Sequence, residues 1–170
     1  MRVKTIHLLR HAKSSWFETG VADHDRPLAP RGQRDARRLA KHLGQHGVAP
    51  ALVLCSSARQ SRDTLELIAR SLPSKAKILV EDELYAAPVE ALLQRLGRIP
   101  DVIPSALLIG HNPGLQDLAL TLAGLGSGLD RLKEGLPTCA LVSMRIPAPT
   151  WRELMPGTAD VIDYVIPRDL

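Results

Sequence analysis

Apolar residues in this chain gather into short continuous runs, and the stretches between those runs carry apolar residues at helical spacing. Val3–Leu9, Ala51–Leu54, Ala76–Val80 and Ala106–Ile109 are each of strand length and each gives way to polar or turn residues. Gly32 to Gln45 sets Ala36, Leu39, Ala40 and Leu43 on one stripe, with Arg34, Asp35, Arg37, Arg38 and Lys41 elsewhere and Gly47 as a stop. Arg59 to Leu72 repeats the pattern through Leu65, Ile68, Ala69 and Leu72 and ends before Pro73. Further helices are predicted from Pro88 to Leu96 and from Pro113 to Ala123. Strands alternating with helices predict an α/β fold, a three-layer α/β/α sandwich with a mostly parallel central sheet covered on both faces. The runs "CALVSMRIP" and "TADVIDYVIP" have no helix between them and read as edge or antiparallel additions, while Gly124–Gly135 reads as a loop. At 170 residues the chain is expected to form a single domain spanning 1–170, large enough to bury about 70% of its unfolded surface.

Charge and composition narrow the function classes. There are 22 Lys+Arg against 18 Asp+Glu, a net charge of +4 spread along the chain, which favours anionic ligands without calling for nucleic acid. An aromatic share of 3% supplies base stacking poorly. Cys55 and Cys139 lie inside apolar runs, where reduced buried thiols are expected, and the chain is read as cytoplasmic. The N-terminus lacks the pattern of a signal peptide, and no apolar stretch approaches the roughly 18 residues of a membrane span, so no membrane partner is expected.

Three strands end in polar clusters: Arg10-His11, "CSSARQSRDT" (Cys55–Thr64) and "GHNPG" (Gly110–Gly114). In a parallel sheet these ends share one edge, the carboxyl edge at which such sheets bind ligands. Histidines, arginine and helix N-termini together suit a phosphoryl group, because guanidinium forks bind oxyanions bidentately and helix starts offer free N–H groups. In "GHNPG", Asn112 reads as an N-cap and Pro113 as the first helical residue, which holds His111 at a helix entrance. A neutral imidazole is a competent nucleophile toward phosphorus, and nearby arginines disfavour its protonated form. Taken singly, each cluster also reads as an ordinary polar strand end.

A cysteine nucleophile is the competing chemistry. Cysteine phosphatases resemble Cys, five residues, then Arg, but the sixth place after Cys55 is Ser61 and Arg62 comes one too late. Cys55 is better read as a small hydrophobe closing a strand. His42 and His46 stand i,i+4 on a solvated helix face, no Cys/His spacing matches a structural zinc site, and no metal is expected.

The chain resembles the histidine phosphatase superfamily, with its phosphoglycerate-mutase-like fold, and within it the small SixA-like phosphohistidine phosphatases. The resemblance runs through "LLRHAKSSW", "DRPLAPRG" (Asp25–Gly32), "LVLCSSARQSRDTLELI", "ELYAAP" (Glu83–Pro88) and "LLIGHNPGL". It implies His11 as the nucleophile that forms a phosphohistidine intermediate, Arg10 and His111 as catalytic, phosphoryl-binding partners, and no cofactor. It implies as substrate a phosphorylated protein bearing phosphohistidine, or a small phosphorylated compound. One position departs from the family pattern: the further phosphate-binding arginine of the middle motif falls on Gln60, with Arg59 and Arg62 flanking it. Arg59 or Gln60 is expected to complete the phosphate site. Helical rotation of about 100° per residue separates their directions. A weakened enzyme and a phosphate-binding module without turnover both follow from that replacement. Glu81, Asp82 and Glu83 in "VEDELY" are the nearest carboxyls by sequence, Glu83 the best of them as an acid, though a solvated acidic turn explains them as well.

Overall fold

The computed structural model describes residues 2–17 and 19–170. In chain order the strands are β1 Lys4–Arg10, β2 Leu52–Ser56, β3 Lys77–Glu81, β4 Ser105–Gly110, β5 Ala123–Leu125, β6 Leu141–Ile146 and β7 Ala159–Val165. The helices are α1 Pro30–Gln45, α2 Arg59–Ile68, α3 Val89–Gly97, α4 Gly114–Leu122 and α5 Leu129–Glu134. The strands form one sheet in the order β3-β2-β4-β1-β6-β7-β5. Pairing is parallel from β3 through β2 and β4 to β1, antiparallel on both sides of β6, and parallel again between β7 and β5.

Side chains alternate across the sheet, and the apolar runs therefore feed two separate cores. Ile6, Leu8, Leu54, Leu108, Val142 and Met144 pack with Leu92, Leu96, Leu115 and Leu118 of α3 and α4. Leu9, Val53, Cys55, Leu107 and Ile109 face the other way, against Ala36, Leu39 and Leu43 of α1 and Leu65 and Ile68 of α2. This is the three-layer sandwich. Where both faces are covered there is no polar alternation to read.

Of the two readings of CALVSMRIP, edge or antiparallel, the antiparallel one holds: β6 lies between β1 and β7 and pairs antiparallel with both. Three other local expectations need correction. Residues 124–135 are not simply a loop: they hold the end of β5 and the short helix α5, whose Leu132 is fully buried. β3 is an edge strand with Ile78 and Val80 exposed, so its apolar run is buried on one side only. Asn112 is not an N-cap, because α4 begins at Gly114 after a cis Asn112–Pro113 peptide and no side chain caps it. The Asn112 amide instead donates to the Leu136 carbonyl at 2.8 Å.

Candidate active site

Parallel register brings the polar strand ends together. Arg10 pairs with Gly110 across β1 and β4, and Cys55 pairs with Ile109 across β2 and β4, so residues 11, 57 and 111 leave the sheet side by side. The His11 amide donates to the Gly110 carbonyl at 3.1 Å. The His11 and His111 rings lie 4.7 Å apart, centroid to centroid, tilted by 53°.

The hydrogen bonds of His11 settle its tautomer. Nδ1 lies 2.8 Å from the Ala12 carbonyl, and a carbonyl can only accept, so the neutral ring carries its hydrogen on Nδ1 and its lone pair on Nε2. The ring is buried, which pushes its pKa from 6.5 down to about 4, and the positive charges of Arg10 and Arg26 push the same way. His111 is lowered to about 4 chiefly by burial, then by His11. Neither ring nitrogen of His111 has a partner in the protein. Arg10 donates from Nη1 to the Leu136 carbonyl at 3.1 Å, while its buried Nε is unpartnered.

On the α2 side, Arg59 and Gln60 stand in different surroundings. Arg59 is exposed, with Nε 3.7 Å from the Asp63 carboxylate one turn along the helix. Gln60 is buried, and its amide donates to the Asp23 carbonyl at 3.2 Å. Asp23 opens a 3-10 turn, Asp23–Asp25, that precedes Arg26. Arg26 is buried, pairs with the Asp23 carboxylate, and leaves Nε and Nη1 without partners. Trp16 lies over its guanidinium at 3.4 Å. Tyr85 donates to the other Asp23 oxygen at 2.6 Å and sets its ring edge-on to His111 at 5.1 Å. That hydrogen bond, with the Arg26 charge, holds the Asp23 carboxyl below the ordinary carboxylate range. Arg26 and Tyr85 lie inside the sequence motifs DRPL and LY, but nothing in the residue pattern set them above their neighbours.

The other candidates are committed elsewhere. Cys55 is fully buried and its thiol is pushed up to about 12 by burial, so it has no thiolate to offer. Arg95 grips Glu81 with bonds of 2.7 to 3.0 Å and also faces Glu83, which pairs with Arg98. Among the described residues no group of three or more His, Cys, Asp or Glu side chains could hold a metal ion.

The histidine phosphatase superfamily (branch 1) family model matches residues 6–85, the span holding Arg10 and His11, the Asp23–Arg26 turn and Tyr85. An uncharacterised protein of Mycobacterium tuberculosis (strain ATCC 25618 / H37Rv) is 35% identical over 165 residues, covering 94% of this chain and 100% of its own. This chain belongs to the histidine phosphatase superfamily. Among solved members of that fold, a candidate phosphohistidine phosphatase SixA of Nakamurella multipartitia superposes with a TM-score of 0.81 at 26% identity, covering 97% of this chain and 96% of its own. A candidate SixA of Agrobacterium tumefaciens does so with a TM-score of 0.79 at 27% identity, over 95% and 97% of the two chains. As a histidine phosphatase of the phosphoglycerate-mutase-like fold, the chain is a phosphatase. No helix among the described residues is long and apolar enough to cross a membrane.

Proposed function

We propose that this histidine phosphatase hydrolyses phosphohistidine on a protein partner through a phosphorylated His11. The observation that carries the reading is the arrangement of His11: a ring kept neutral by burial, its Nδ1–H on the Ala12 carbonyl, its free Nε2 beside unpartnered nitrogens of His111 and Arg10. The Nε2 lone pair forms a bond to phosphorus as the bond from phosphorus to the leaving nitrogen breaks. Water then attacks phosphorus, the bond to His11 breaks, and inorganic phosphate leaves with His11 restored. Arg10 and His111 bind the phosphoryl oxygens, where fixed donors stabilise the spreading charge of the transition state. The Nδ1 hydrogen bond stabilises the charge that the ring takes on.

Leaving-group chemistry favours nitrogen over an alkoxide. Asp23, whose charge acts on both rings, is held ionised and is a poor proton donor, and Glu81 and Glu83 are occupied by arginines. A phosphohistidine ring protonated on its other nitrogen departs as neutral imidazole, whose conjugate acid has a pKa of about 6.5, so no acid has to protonate the nitrogen that leaves phosphorus. A protein partner fits the surroundings: beside Arg10 lies an open cavity of about 650 Å³ bordered by Arg31, Arg38, Arg131 and Arg168 against two acids, Asp35 and Glu134, a net basic surface for an anionic protein.

A hydrolysis panel tests this. A phosphoramidate and a phosphohistidine protein should exceed an alkyl phosphate in kcat/KM by roughly tenfold or more. His11→Ala should abolish both turnover and the acid-labile phosphoenzyme, while Cys55→Ser should stay within about twofold of wild type. A preference for the alkyl ester would move the substrate to small phosphate monoesters. Absence of turnover on every substrate would leave a phosphate-binding module.

A further inference from the structure

In this chain the geometry points to Arg26 as the phosphoryl-binding arginine that position 60 lacks, with Gln60 as the positioning residue that holds Arg26 in place. The inference rests on the phosphatase reading of the same site and concerns how that site obtains its positive charge.

The pieces are independent of one another. A glutamine at position 60 carries no charge, yet it is almost fully buried and spends its amide on the backbone of the Asp23–Asp25 turn. That turn is pinned from three further sides. His24 shares a hydrogen bond of 2.9 Å with the Ser57 hydroxyl, Tyr85 donates to the Asp23 carboxylate, and Arg26 closes onto the same carboxylate. Next along the chain, Pro27 and Ala29 hydrogen-bond to Ser15 and Lys13, just beyond His11. Arg26 is therefore held between two segments that both lead to the histidine pair.

Its guanidinium is built to receive an anion. One nitrogen is neutralised by Asp23, while Nε and Nη1 are buried with no partner. Buried unpaired donors are costly, and a phosphoryl group supplies acceptors for them; because Nε and Nη1 lie on different edges of the guanidinium, on either side of the Nη2 held by Asp23, each donates singly to an anion. Trp16 packs on the flat face of the fork and leaves its edge to hydrogen-bond. The burial-dominated lowering of the His11 pKa includes a contribution from the Arg26 charge, which places that charge within electrostatic reach of the nucleophile. Arg59 has none of these features: it is exposed and paired with Asp63.

Titration of the folded protein with inorganic phosphate and orthovanadate tests the assignment, without relying on turnover. Arg26→Ala should weaken both anions by roughly tenfold or more, with Arg26→Lys between it and wild type, because an ammonium keeps the charge and loses the fixed direction of the guanidinium donors. The same Arg26→Ala variant should raise the His11 titration midpoint followed by NMR, while Arg26→Lys, which keeps the cation, should leave it near the wild-type value; an equal rise in both variants would mean hydration of the ring and overturn the assignment of the charge. Restoring the charge from α2 in the double variant R26A/Q60R should recover most of the lost anion affinity. Gln60→Met, which keeps the bulk and removes the donor, should weaken phosphate by a few-fold, less than the loss of Arg26 itself. Phosphate binding by folded Arg26→Ala within about twofold of wild type, or a loss of binding in Arg59→Ala but not Arg26→Ala, overturns the assignment. Failure of the phosphatase reading would appear separately, as wild-type protein that binds phosphate and turns nothing over.

Discussion

Nδ1 of His11 is 2.8 Å from the Ala12 carbonyl and the ring is buried, two facts with opposite effects on its basicity. The hydrogen bond favours the protonated ring, desolvation disfavours it, and desolvation is the larger, so the pKa falls from 6.5 to about 4. A nucleophile must be unprotonated to attack. The fraction of neutral His11 is therefore near unity at pH 6.5, where an ordinary histidine is half protonated. The expected kcat/KM profile for an acid-stable aryl phosphate stays level from neutrality down past 6.5 and falls only toward about 4. A midpoint at 6.5 for the acidic limb would mean that burial is not controlling the ring.

At the scale of elements, the loops that carry the site are fixed by close backbone approaches that only glycine permits. A Cβ on Gly32, in the first turn of α1, would sit 2.2 Å from the carbonyl oxygen of Lys13, in the segment just after His11. A Cβ on Gly114, the first residue of α4, would sit 1.9 Å from the carbonyl oxygen of Ala87, beyond Tyr85. Both contacts are to backbone, so the neighbour cannot rotate away. Gly32→Ala and Gly114→Ala should each lower stability by about 3 kcal/mol or more, measured by urea unfolding. Each should also reduce activity in whatever fraction stays folded. Gly44 has open space around the same position, and the alanine variant there should be stable, because Ala is the better helix former.

For the whole molecule, burial of histidine links stability to pH. His7, His11 and His111 each have a folded-state pKa lowered from 6.5 to about 4, His7 through burial beside Ser143. Between those values the unfolded chain binds protons that the folded chain refuses. The stability is therefore fully present above 6.5 and is lost as pH falls from 6.5 through about 4. Each histidine contributes up to about 1.4 kcal/mol per pH unit in that window. Denaturant midpoints should fall steadily from pH 7 to pH 5, and His7→Gln should flatten the slope without touching the His11–His111 pair.

What the sequence by itself determined follows from local rules. Alternating apolar runs and amphipathic stripes specify a covered parallel sheet, and a parallel sheet forces the ends after Leu9, Cys55 and Ile109 onto one edge. The pair Arg10-His11 and the residue His111 were legible for that reason, as was the failure of the Cys55 register. What only the tertiary structure decided depends on contacts between segments distant in sequence, which no periodicity encodes. Examples are the interior place of β6 between β1 and β7, the use of Asn112 to anchor Leu136, and the turning of Arg59 toward Asp63. Gln60 shows the division most plainly. Its identity announces a missing charge, but a glutamine amide can donate to any carbonyl in reach, and only the folded chain shows that the carbonyl is that of Asp23, in the turn that delivers Arg26.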